Sequence, residues 1–142
     1  MKEGKLVPAR MTIALLTDAM AKAEAAGAKG PFLVDGFPRA MDQLTAWDAG
    51  APACAAVLLF EASEEAMTTR LLERGKTSGR TDDNPDSIKR RFATFTEQAL
   101  PVIAHLERTR PGLVKRIDAS KPVAAVASAA RIAVDEVMSL AA

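Results

Sequence analysis

Val34-Asp35-Gly36-Phe37-Pro38-Arg39 closes a short apolar run that begins at Pro31, and its reading decides the fold. Between Gly30 and Gly36 there is no room for a helix, so Pro31 to Asp35 is expected to be a buried strand. An acid, a glycine, a proline and an arginine would then gather at one strand tip. An aspartate there can hold the water shell of Mg2+, and an arginine can clamp a phosphate through two parallel hydrogen bonds. Read alone, the same six residues also suit a helix-start turn with a surface arginine. Gln43 lies four residues beyond Arg39, so on a helix both point the same way, one toward a phosphate and one toward a base.

Working outward, two more short apolar runs follow turn residues: Ala55 to Phe60 after Pro52, and Leu113 to Asp118 after Pro111-Gly112. Both are strand candidates. Helices are expected from about Pro8 to Ala26, where Met11, Ala14, Leu15, Asp18 and Lys22 fall at helical spacing before Gly27, and from Ala40 to Trp47. A third runs from Glu64 to Arg74 behind Ser63 as N-cap, with acids in its first turn. Asn84-Pro85 can cap a long helix reaching Arg108, with Pro101 as a kink or break, and Ser120 with Pro122 begins the last helix. Strands alternating with helices give an α/β chain with a mostly parallel sheet, whose ligands bind at the carboxyl ends of the strands.

The composition fits one domain over 1–142. The chain has 142 residues, 49% of them hydrophobic, and a formal net charge of +1. Balanced charge and few aromatics leave no broad footprint for nucleic acid or an anionic membrane, so any anion site is local. Charges interrupt every apolar run before the roughly 20 residues of a membrane span. Cys54 is the only cysteine and the first residues lack the apolar run of a secretory signal, which together suit a cytoplasmic protein. With one histidine, His105, and one thiol, neither a Cys/His metal cluster nor a Ser-His-Asp triad can be assembled.

Arginines carry the remaining chemistry. Arg70 and Arg74 stand at helical spacing, and Arg74 heads the polar, glycine-punctuated stretch Gly75 to Asn84. Arg91 follows Arg80 across a helix start, so three arginines can converge around a loop able to close over a polyphosphate, although such a charge run is commonly a solvated loop. Guanidinium groups around a transferring phosphoryl stabilise its spreading charge. Gly75-Lys76-Thr77 imitates the end of a phosphate-binding loop, but Arg70 stands where that motif requires glycine.

In order and spacing, several segments resemble the adenylate kinase and UMP/CMP kinase family: Glu3 to Pro8, Phe32 to Arg39, Leu71 to Asn84 and Ile117 to Ser120. The resemblance implies a three-layer nucleoside monophosphate kinase fold with a parallel sheet and a short lid at about 76–84. It also implies Mg2+ with ATP as phosphoryl donor, no direct protein ligand to the metal, and a monomer. Lys5, Leu6 and Val7 would border the monophosphate's base. Gly36, Phe37, Pro38, Arg39 and Gln43 would hold its phosphate and base, and Asp35 would stand near the Mg2+ water shell. Arg74 and the Lys121 backbone would flank ATP, while Arg80 and Arg91 would bind the monophosphate and stabilise the transferring phosphoryl. AMP is the expected acceptor because Gln43 matches adenylate kinases, with UMP or CMP as the alternative.

The family begins with a strand and a glycine-rich phosphate loop for which these residues have no counterpart. On this reading the first strand-loop-helix unit is missing, and its strand is the central one, between Phe32-Asp35 and Ala55-Phe60. Two apolar edges would then close together or pair between chains. The chain alone is expected to be impaired as a catalyst, and a nucleotide-binding or interaction module without turnover is the competing expectation.

Overall fold

The computed structural model describes residues 8–80 and 82–141. The family-implied base contacts Lys5, Leu6 and Val7 lie outside the described residues. The described residues divide into two compact units, one of residues 8–53 and 95–102, the other of residues 54–80, 82–94 and 103–141.

In the first unit α1 (Ala9–Ala25) packs on α2 (Met41–Gly50). The stop expected at Gly27 is a nested pair of hydrogen bonds: Gly27 N–H donates to the Glu24 carbonyl at 2.9 Å and Ala28 N–H to that of Ala23 at 3.0 Å. Gly27 has φ +92°, a left-handed conformation that glycine adopts without the steric cost a Cβ brings. Ile13, Leu44, Ala99 and Val102 are the buried apolar residues of this unit.

The second unit holds the sheet. Strand β1 (Val57–Glu61) pairs in parallel with β2 (Val114–Asp118), in the register Val57 to Val114 through Glu61 to Asp118. Helix α3 (Glu64–Gly75) follows β1 and packs on α4 (Pro85–Thr94), and α6 (Val123–Ala141) packs on β2. Ser63 caps α3 as expected, its Oγ accepting from Ala66 N–H at 3.2 Å. Asn84 starts α4, its Oδ1 accepting from Ser87 N–H at 3.0 Å. Ile88, Ile103, Leu106 and Ile117 are buried here.

Two expectations change. Pro31 to Asp35 belongs to no strand, and Leu33 is 86% exposed. Parallel pairing needs a neighbour whose main-chain groups complement each residue, and the one ladder among the described residues joins β1 to β2. An apolar run without a partner strand stays unpaired. The long helix is also not broken at Pro101. It passes from α4 through a π-helical stretch, Phe95–Ala99, into α5 (Leu100–Thr109). Pro101 has no N–H for the carbonyl four residues back, Glu97, and that carbonyl lies in the widened stretch. No described helix is long and apolar enough to cross a membrane.

Candidate functional site

In the first unit, Gly36 to Gln43 forms a turn closed by hydrogen bonds onto itself. Gly36 has φ +65°, and a Cβ there would collide with the Arg39 guanidinium. Only glycine lets that guanidinium fold back, where Arg39 Nε donates to the Gly36 carbonyl at 2.5 Å. The Phe37-Pro38 peptide is cis, and the Phe37 ring lies against Trp47 with centroids 5.5 Å apart. Pro38 is half-buried, whereas Asp35 and Arg39 are exposed.

Gln43 departs from its expected pose. Its side chain is buried, with the residue 4% exposed, and Oε1 accepts from Arg39 N–H at 2.7 Å. Helix α2 has no side-chain cap at Ala40, and the third helical residue reaches back to a free N–H, a variant of the capping box. In this geometry the Gln43 carbonyl oxygen accepts from the main chain at the helix start.

In the second unit the arginines converge on two aspartates. Arg74 grips Asp83 with two hydrogen bonds, Nε to Oδ2 at 2.8 Å and Nη2 to Oδ1 at 2.7 Å. Arg91 Nη1 reaches the same Oδ1 at 3.4 Å and Asp82 Oδ2 at 3.7 Å. Arg80 pairs with Asp82 at 3.1 and 3.2 Å. The Asp83 side chain is 0% exposed while that of Arg74 keeps 42%. The bare Gly75 makes room for it, since a Cβ there would stand 2.9 Å from the Asp83 carbonyl oxygen.

The charges support one another. The Arg74 hydrogen bonds hold the Asp83 carboxyl below the usual carboxylate range against the opposing effect of desolvation, and Arg80 does the same for Asp82. Arg74 and Arg80 are raised in turn, chiefly by those bonds. Three arginines beside two aspartates leave an excess of one positive charge, and each guanidinium has N–H groups beyond those in use. That is a cradle for anionic oxygens.

Sequence reasoning brought the arginines together but missed Asp83 as the common partner of Arg74 and Arg91. The one available signal was Gly75, which lets another segment approach the end of α3. The same reasoning singled out Arg70 but missed its partner: Arg70 donates to the carbonyls of Ala119 at 2.7 Å and Ser120 at 3.4 Å, beside Lys121. Asp118 accepts from Ser120 N–H at 3.0 Å and from its hydroxyl at 2.5 Å. Those bonds, the hydroxyl's first, hold Asp118 below its ordinary value.

A parallel α/β chain with an Asp-Gly-Phe-Pro-Arg turn and an arginine-rich loop has the nucleoside monophosphate kinase class of fold. The chain belongs to the adenylate kinase family, whose profile, described as adenylate kinase, matches residues 1–110. It is 44% identical to a UMP-CMP kinase of Lentinula edodes over 97% of this chain and 63% of that protein. It is 46% identical to the uridylate kinase of Saccharomyces cerevisiae over 84% of this chain and 58% of the relative. For the human UMP-CMP kinase the identity is 45%, over 86% and 63%. The chain thus spans about three fifths of the length of these relatives.

Proposed function

We propose that this protein is a nucleoside monophosphate kinase that moves the γ-phosphoryl group of Mg·ATP onto UMP or CMP. The observation that carries the acceptor is its identity of 44–46% to kinases named for UMP and CMP or for uridylate. This replaces AMP, which rested on Gln43 as a base reader. Buried and bonded to Arg39 N–H, the Gln43 amide serves the helix start and no longer singles out adenine.

Each unit has its own task. In the first, the Gly36–Arg39 turn holds the monophosphate, with Lys5, Leu6 and Val7 beside its base, while Gln43 steadies that turn through Arg39 N–H. The Arg39 guanidinium, held by one bond to Gly36, offers its outer N–H edge to the phosphate. In the second, Arg74 and the Lys121 main chain hold ATP. Arg80 and Arg91, aimed by Asp82 and Asp83, meet the equatorial oxygens as charge spreads over them during transfer.

The residues fit a metal that arrives on the phosphates. Asp35 is exposed, so its carboxylate can meet a hydrated ion. Mg2+ bound with ATP would neutralise phosphate charge, and Asp35 would orient its water shell.

The 142 residues contain no GxxxxGK[ST], so transfer is best assayed with the N-terminal segment of the Lentinula edodes kinase joined ahead of them. The kcat/KM for UMP and CMP should exceed that for AMP by at least about tenfold, the scale of an unmade buried base contact. A preference for AMP overturns the pyrimidine assignment. Nucleotide binding without turnover would instead support the inactive module.

A further inference from the structure

The turn joining β2 to α6 lies at the carboxyl ends of the two parallel strands, and nearly all its main-chain polar groups are committed within the protein. Ala119 N–H donates to the Glu61 carbonyl at 2.7 Å, extending the β1–β2 pairing by one step. Ser120 N–H and Oγ–H both donate to Asp118 Oδ1. The carbonyls of Ala119 and Ser120 accept from Arg70. Pro122 has no N–H, and its carbonyl accepts from Ala125 and Val126 at 2.9 and 3.1 Å. Among the described residues no main-chain hydrogen bond falls to Lys121, whose Nζ stands 3.6 Å from Asp118 Oδ2.

One donor and one acceptor therefore remain, both on Lys121. An adenine edge offers the complement, a ring nitrogen that accepts and an amino group that donates, whereas the guanine edge reverses the two. We infer that Asp118 is a positioning residue for the base of the phosphoryl donor: its carboxylate fixes Ser120 and so presents the Lys121 peptide groups to an adenine ring. The inference rests on the ATP contact assigned above to the Lys121 main chain. Without the carboxylate, Ser120 N–H and Oγ–H lose their acceptor, the turn gains freedom that binding must remove, and a competing donor appears beside Lys121.

The test follows backbone amide signals of the 15N-labelled chain during titration with ATP, GTP and inorganic tripolyphosphate. In the parent the Lys121 amide should move with ATP and not with tripolyphosphate. Asp118→Ala should weaken ATP about 5–10-fold, the size of one or two ordinary hydrogen bonds, and leave tripolyphosphate and UMP unchanged. Asp118→Asn keeps an acceptor oxygen for Ser120 and should bind ATP within about twofold of the parent. If the parent's Lys121 amide shows no base-dependent shift, the assigned ATP contact itself falls. A base-dependent parent whose affinity is unmoved in Asp118→Ala overturns Asp118 alone, as does an Asn variant as weak as the Ala variant. Should Asp118→Ala fail to fold, Ser120→Ala removes the hydroxyl bond only and should weaken ATP about 2–3-fold; no change there overturns the role.

Discussion

The Gly36–Gln43 turn and the Arg74–Asn84 loop both present arginines, and they hold them by opposite means. In the first, a positive-φ glycine, a backbone carbonyl and a buried amide fix Arg39, with no carboxylate among its hydrogen-bond partners. In the second, aspartates gather three guanidinium groups around charge that is shielded on one side and exposed on the other. The first arrangement depends on shape and changes little with salt or pH. The second depends on ionised carboxylates, and an incoming phosphate competes for the same N–H groups.

The largest effect should come from the charged region. In the joined protein, Arg80→Ala or Arg91→Ala should lower kcat by about 10²–10³-fold, the scale of one lost donor to a developing charge, with smaller changes in nucleotide affinity. Single-turnover and binding measurements separate the two. An unchanged kcat would make this loop a solvated one, and a rise in KM alone would reassign the arginines to ground-state binding.

Next is the shape-dependent region. Gly36→Ala places a methyl group where the Arg39 guanidinium lies, at a φ of +65°. UMP affinity, read by calorimetry, should fall about 10–100-fold, the value of a charge-assisted contact to phosphate. An affinity within error of the parent would show that Arg39 does not act from the pose described.

Gln43→Ala sharpens the contrast further. It removes the acceptor for Arg39 N–H from a buried position and should cost about 1–3 kcal/mol of stability in chemical denaturation. As a capping residue it should leave the ratio of kcat/KM among UMP, CMP and AMP unmoved. A shift in that ratio would return Gln43 to reading the base.

The smallest effect is on acid stability. Because the native Asp82 and Asp83 lie below their ordinary value, their ionised forms stabilise the fold above the aspartate value of about 3.9, and that contribution is lost as pH falls through the lowered native values. Asp83→Asn should therefore reduce stability near neutral pH and flatten its decline below about pH 4. Parallel acid limbs for variant and parent would argue that Arg74 does not bind the ionised Asp83.

Local chemistry was the readable part. Ser63, Gly27 and Asn84 act on neighbours within a few residues, so their caps followed from composition and spacing. The Phe32–Asp35 strand did not, because an apolar run specifies burial but not a partner. Arg39 and Gln43 were expected on one helix face, but Arg39 precedes α2, and which atom each contacts depended on a free N–H at an uncapped helix start. Asp83 looked like one more charge in a polar loop. Its role appeared only once the loop after α3 turned back, setting Asp83 against Gly75 and between Arg74 and Arg91.

What the sequence determined by itself was the family, through co-linear blocks such as Asp35 to Arg39 and Arg74 to Asn84, and the helices, because 3.6-residue periodicity and end caps are local properties. The tertiary structure alone decided the strand count, the committed amide of Gln43, the aspartates that gather the arginines and the clamp of Arg70 on the turn before Lys121. Each of these depends on which main-chain and side-chain groups are left without a partner after folding: the strand pairing and the Arg70 clamp join segments far apart in the chain, whereas the Gln43 and aspartate contacts cross turns whose course the packing sets.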